Sequence, residues 1–183
     1  MQAPDSEKLR YPIGRFTAPA AFRPEDRRAW LQAIAALPSW LDVIVQNLDA
    51  AQLETPYRAG GWNMNQVIHH LSDSHMNAFV RLKLSLTEDV PTVKPYEEAR
   101  WAETEEIASV PVNVSITLLH ALHRRWTDLL ERIPEAAWER RYFHPEQQRE
   151  VPVWEMTAMY AWHGRHHMEQ LRNLREREGW SGY

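Results

Sequence analysis

At 183 residues, with a formal net charge of −4 and no cysteine, the chain suits one domain with a sizeable core. The acidic balance and the lack of a basic stripe argue against a nucleic-acid partner, and the missing thiols exclude disulfides, thiolate metal sites and a cysteine nucleophile. No apolar run approaches the roughly 20 residues a bilayer demands, and the first six residues lack a signal-peptide core, so the expectation is a soluble cytoplasmic protein without membrane contact.

Residues 1–22 carry Pro4, Pro12, Gly14 and Pro19 and read as an extended arm of a single 1–183 domain. Pro24-Glu25-Asp26 starts a helix well, because proline is tolerated in the first turn and acids there complement the helix dipole. Trp30, Ile34 and Leu37 continue its apolar face. Pro38 either kinks this helix or starts a second piece through Trp40, Leu41, Ile44, Val45 and Leu48. Gly60-Gly61 breaks the chain. Asn63-x-x-Gln66 then reads as a capping box, opening a helix to about Leu86 with Met64, Val67, Ile68, Leu71, Ala78, Phe79 and Leu82 on its apolar face. Pro91 and Pro95 mark a long connection. A third helix follows Pro111, with Ile116, Leu119, Leu122, Trp126, Leu129 and Ile133 on one side, and Pro134 stops it. Residues 140–153 look irregular or hairpin-like, and a last helix runs from about Trp154 to Arg177. Four or so amphipathic helices without a run of alternating strands indicate an all-α helical bundle. The connections over 87–111 and 134–153 leave room for crossovers, so helices adjacent in sequence need not be neighbours in space.

The chain holds nine histidines, two of them spaced His163-x-x-x-His167 on the last helix. At roughly 100° per residue from Trp154, Met156, Met159, Tyr160, Gln170, Leu171 and Leu174 form one stripe, while Arg165, Glu169 and Arg172 lie opposite. His163 and His167 fall near the middle of the stripe. Two imidazoles on adjacent turns can grip one ion, and neutral polar rings buried without partners are costly, so the pair needs a reason. A catalytic zinc-type ion takes a third protein ligand. On the second long helix His70 lies about 110° from the centre of the apolar face and His69 about 150°, whereas His75 falls inside it. This ranks His70 and His75 first without separating them. His75 and His123 also suit a hydrogen-bonded core or supporting role, and His120 and His144 read as surface or core-filling histidines. Asp73, one turn from His70, is the one candidate to orient an imidazole or move a proton, against a solvated helix residue as the other reading.

Several motifs carry a resemblance. Gly60-Gly61-Trp62, His69-His70-Leu71-x-Asp73-Ser74-His75-Met76-Asn77, Lys94-Pro95-Tyr96, His123-x-Arg125-Trp126, His144-Pro145-Glu146 and Trp162-His163-x-x-x-His167 stand in order. With the Tyr11-Pro12-Ile13-Gly14 arm, they resemble the YfiT branch of the DinB-like helical-bundle superfamily over about residues 11–180. The resemblance implies a four-helix bundle with unusual connectivity, usually dimeric, holding one divalent ion per subunit through His70, His163 and His167. It also implies metal-dependent hydrolase chemistry, or thiol S-transfer with bacillithiol as the thiol. One departure is Gly164-Arg165, where the pattern is often richer in histidine. Arg165 lies on the polar side, and Gly164 costs about 1 kcal/mol against alanine, which is tolerable if another segment approaches the backbone there.

Three neutral ligands leave the charge of a divalent ion uncompensated, so water bound there ionises near neutral pH and a thiol ionises outright. Zinc, nickel and manganese all accept imidazole. Glycine at position 164 rules out H-E-x-x-H and with it the general base of the zinc proteases. The expectation is a thiol S-transferase acting on a small electrophile. Hydrolysis of a small amide or ester is the alternative, and a non-enzymatic metal-binding bundle the third reading. Arg81, Lys83, Arg125 and Arg165 are the cations considered for an acidic thiol. Trp154, Ala158, Ala161 and Trp162 make the back of the last helix apolar too, so this chain or a second copy in a homodimer must cover it.

Overall fold

The computed structural model describes residues 6–180. In chain order it forms α1 (Ser6–Arg10), α2 (Arg27–Ile44), α3 (Ala50–Leu53), α4 (Met64–Thr87), α5 (Glu98–Trp101), α6 (Glu106–Ser109), α7 (Val112–Arg132) and α8 (Val153–Glu178). A hairpin of β1 (Arg141–His144) and β2 (Arg149–Pro152) joins α7 to α8, with Arg141 opposite Pro152 and His144 opposite Arg149. None of the described helices is long and apolar enough to cross a membrane.

Local chemistry sets the ends of the long helices. The Asn63 side chain accepts from the Gln66 amide while the Gln66 side chain accepts from that of Asn63, which closes the predicted capping box and starts α4 at Met64. Pro111 caps α7, and Gly179 in the left-handed region (φ +70°) ends α8. Pro38 does not divide α2, which runs through it to Ile44. The predicted arm is not extended throughout, because Ser6–Arg10 coil into α1; its first five residues lie outside the described ones.

The four long helices pack as a square in which α2 touches α7 and α8, and α4 touches α7 and α8. Sequence neighbours α2 and α4 therefore sit on one diagonal, and α7 and α8 on the other, as the long connections allow. Their interior divides into two apolar clusters, one containing Ile34, Ala78, Leu82, Trp126 and Tyr160 and the other Leu37, Leu71, Leu119, Leu171 and Leu174. The stretch between the clusters holds His75 on α4, His123 on α7 and His163 and His167 on α8. A polar layer thus crosses the middle of the bundle.

The chain's own arm packs on the two tryptophans of the apolar back of α8. Phe22 stacks with Trp138 (5.5 Å) and Trp154 (6.5 Å), and Phe16 lies against Trp162 at 5.9 Å. Gly164 meets the predicted close approach, since a Cβ there would stand 2.9 Å from Leu37 Cδ2 on α2.

Candidate metal centre

Adjacency of α4 and α8 brings His70 to His163 and His167, and one ring nitrogen from each lies within 4.8 Å of the other two. His70 Nε2 is 3.3 Å from His163 Nε2, and the His163 and His167 rings meet edge-on at 4.6 Å. His70 and His167 are buried, and His163 is half-buried with an edge toward a pocket of about 330 Å³. The pocket walls are Tyr11 and Arg10 from the arm, Tyr57, Arg58, Gly60 and Trp62 from the loop before α4, Glu98, and Trp162.

The supporting bonds determine where the ring protons sit. Gln170 Nε2 donates to the Arg10 carbonyl at 2.8 Å, which fixes the amide orientation and makes Oε1 the acceptor facing His167 Nδ1, also at 2.8 Å. His167 therefore carries its proton on Nδ1 and a lone pair on Nε2. Gln170 Nε2 also donates to His166 Nε2 at 3.0 Å, and the His166 ring stacks on Trp162 at 4.6 Å. On the other side His163 Nδ1 lies 3.2 Å from His75 Nε2.

Burial keeps these rings uncharged. It pushes His70 down to about 4, with repulsion from His166 adding to the effect. His163 and His167 are held well below the ordinary imidazole value, first by burial and then by neighbouring histidines. Neutral imidazoles with ring nitrogens converging on one point are what a divalent cation requires. Two nitrogens on a tetrahedral zinc at about 2.0–2.1 Å stand about 3.3–3.4 Å apart, which matches the His70–His163 spacing. The donor set fits an ion of this kind.

The remaining histidines fall elsewhere. His69 is buried rather than turned outward, because α6 and α7 cover it. Its Nε2 donates to the Val110 carbonyl (3.1 Å) and its Nδ1 faces Ser115 Oγ (2.8 Å), so neither nitrogen is available to a metal. His75 stands behind His163 and bonds His123 through Nδ1 at 2.9 Å. His120 pairs with Asp42 on the surface, and His144, the last residue of β1, is buried in the hairpin. Asp73 is half-buried, and burial raises its carboxyl to about 6. It makes no hydrogen bond to an imidazole among the described residues; His75 and Gln170 hold the inner nitrogens of the α8 pair instead.

Arg81, Lys83, Arg125 and Arg165 do not line the pocket; Arg81 is buried and donates to the Lys94 carbonyl. The pocket cations are Arg10 and Arg58, which sequence reasoning missed because the arm and the glycine-rich loop have no periodicity to follow. Gln170 is visible in the sequence as a polar residue on the apolar stripe, one turn beyond His166 and His167, and that position is the signal that marks it.

A family model for the DinB superfamily matches residues 33–171, and the chain belongs to that superfamily. A protein of Geobacillus thermodenitrificans provisionally named a metal-dependent hydrolase is 48% identical over 95% of this chain and 98% of its own length. YfiT from Bacillus subtilis, described as a probable metal-dependent hydrolase with an unusual four-helix bundle topology, superposes with a TM-score of 0.92. It is 38% identical over 95% of this chain and 99% of that one. TT2238, a four-helix bundle protein, shares the fold at a TM-score of 0.55 and 18% identity, covering 80% and 98% of the two chains.

Proposed function

We propose that this chain is a metal-dependent thiol S-transferase, with His70, His163 and His167 as ligands of one divalent cation and a small electrophile as the acceptor. The observation that carries the reading is the convergence of three neutral imidazole nitrogens at the floor of an open pocket. A divalent ion held by three neutral ligands keeps its charge and acidifies a thiol or a water beside it.

The chain's own residues supply the rest. Gln170 and His75 orient the two imidazoles of α8, so their donor atoms are set before anything binds. Trp62, Trp162 and Tyr11 wall the pocket and restrict water around the reacting groups, and Arg10 and Arg58 place two cations at its rim for an acidic thiol. Among the described residues no carboxylate is hydrogen-bonded to the three imidazoles, and thiol transfer needs no such base once the sulfur is ionised. Bacillithiol, suggested by the sequence resemblance, is the first thiol to try.

Hydrolysis of a small amide or ester is the second reading. The names of the relatives favour it, as does Glu98, the one carboxylate that lines the pocket among the described residues. Purification without chelators and elemental analysis should find about one divalent ion per chain in the wild type and none in a folded His163→Ala variant. Thiol-dependent consumption of monochlorobimane supports transfer. Thiol-independent cleavage of an ester or amide panel, lost in Glu98→Gln, supports hydrolysis. Full metal occupancy in His163→Ala refutes the ligand assignment.

A further inference from the structure

Proline has no N–H, so Pro38 leaves the carbonyl of Ile34, four residues earlier in α2, without its helical donor. His123 of α7 takes that place, with Nδ1 2.6 Å from the Ile34 oxygen. A carbonyl can only accept, so the His123 proton sits on Nδ1. His123 is buried and no acid among the described residues pairs with it, so the ring stays neutral; burial lowers it to about 4. Its Nε2 therefore carries a lone pair and accepts from His75 Nδ1 at 2.9 Å.

The same rule moves one ring onward. His75 is fully buried, stacked on His123 at 4.9 Å and set edge-on to Tyr160 at 5.0 Å. With its proton committed to His123, its Nε2 accepts from His163 Nδ1 at 3.2 Å. His163 is left with a bare Nε2 aimed at His70 Nε2. One carbonyl, freed by one proline, settles the proton on three successive rings.

We propose that His75 and His123 are positioning residues, which fix the tautomer and the aim of His163 as a metal ligand from an anchor on α2. This rests on the assignment of His70, His163 and His167 as ligands. A neutral imidazole in water keeps its proton chiefly on Nε2, so three consecutive Nδ1 protons form a distinctive signature.

The test begins with metal-stripped, ¹⁵N-labelled protein, in which long-range ¹H–¹⁵N correlations read the protonated nitrogen of each ring. His75, His123 and His163 are expected to carry their protons on Nδ1. A proton on Nε2 of His75 or His123 overturns the proposal and leaves the ligand assignment standing. Nickel and zinc affinities, measured by competition with a chromophoric chelator, form the second arm. His75→Leu should weaken binding about 10- to 100-fold, and His75→Gln, whose amide oxygen can replace the acceptor for His163, should recover most of the loss. Wild-type affinity in a His75→Leu variant with native circular dichroism overturns the positioning role. A wild-type protein with the expected tautomers that binds neither ion overturns the ligand assignment and the positioning role together.

Discussion

Gln170→Leu tests the other support of the centre, and its cost can be worked from the contacts. The amide makes three hydrogen bonds, to His167 Nδ1, His166 Nε2 and the Arg10 carbonyl. Leucine fills the same space and makes none. The Arg10 carbonyl is only part-buried and can turn to water, but the two imidazole nitrogens belong to buried rings. Leaving a buried polar atom unpaired costs about 1–3 kcal/mol. The added apolar burial offsets part of that, for a net loss of about 1–4 kcal/mol. At about 2–4 °C per kcal/mol for a chain of this size, the midpoint of thermal unfolding should fall by about 2–16 °C. Freed from its acceptor, His167 is no longer bound to keep its lone pair on Nε2, and divalent-ion affinity should fall about 10- to 100-fold. Gln170→Glu separates the two effects, because a carboxylate still accepts from His167 Nδ1 but cannot donate to the Arg10 carbonyl. It should retain most of the metal affinity while loosening the arm. The assay is thermal unfolding of metal-free protein followed by chelator competition with nickel or zinc. A folded Gln170→Leu protein that binds either ion as tightly as the wild type would refute the reasoning.

Metal-free protein should lose stability as pH falls from about 6.5 toward about 4. His70, His123 and His166 titrate near 4 when folded, so below the ordinary imidazole value the unfolded chain binds more protons, at up to about 1.4 kcal/mol per pH unit for each ring; a flat denaturation profile between pH 7 and pH 5 contradicts this. Asp73→Asn should stabilise the protein at pH 8 and not at pH 4, because burial raises its carboxyl to about 6 and the charged form is the disfavoured one; metal affinity should not change. Gly164→Ala gains about 1 kcal/mol of helix propensity but drives a Cβ to 2.9 Å from the buried Leu37, an overpacking cost of about 1–3 kcal/mol. Denaturant unfolding should show a loss of up to about 2 kcal/mol, reduced when Leu37→Val is added. Asn63→Ala removes the capping box and should cost about 1 kcal/mol with metal affinity intact, since His70 lies two turns further along α4.

The four long helices were legible because their ends carry chemical marks: the Asn63–Gln66 box, Pro111 and Pro134. Their faces repeat at the helical period. Pro38 leaves a kink and a second helix both open in the sequence, and α2 runs through it because a proline costs one backbone bond and a side chain takes the freed carbonyl. The α8 histidine pair was legible because both rings share one stripe. Angle alone does not choose between His70, at the border of the apolar face, and His75, inside it; what distinguishes them is height along the bundle, which only the packing of α4 against α8 sets. His69 was misplaced for a related reason, as the short helix α6 and the start of α7 bury a face that periodicity assigns to solvent.

The pocket has two parts of different origin. Its floor belongs to long helices locked by the bundle core, whereas its rim is lent by the arm, the turn at Gly60 and Glu98. The arm is tied to the floor through the main-chain oxygen of Arg10, not through the guanidinium. Evolution can therefore exchange the side chain at position 10 and retune which molecules enter, while the machinery beneath stays untouched. An engineer seeking new ligand preferences would begin with those rim positions.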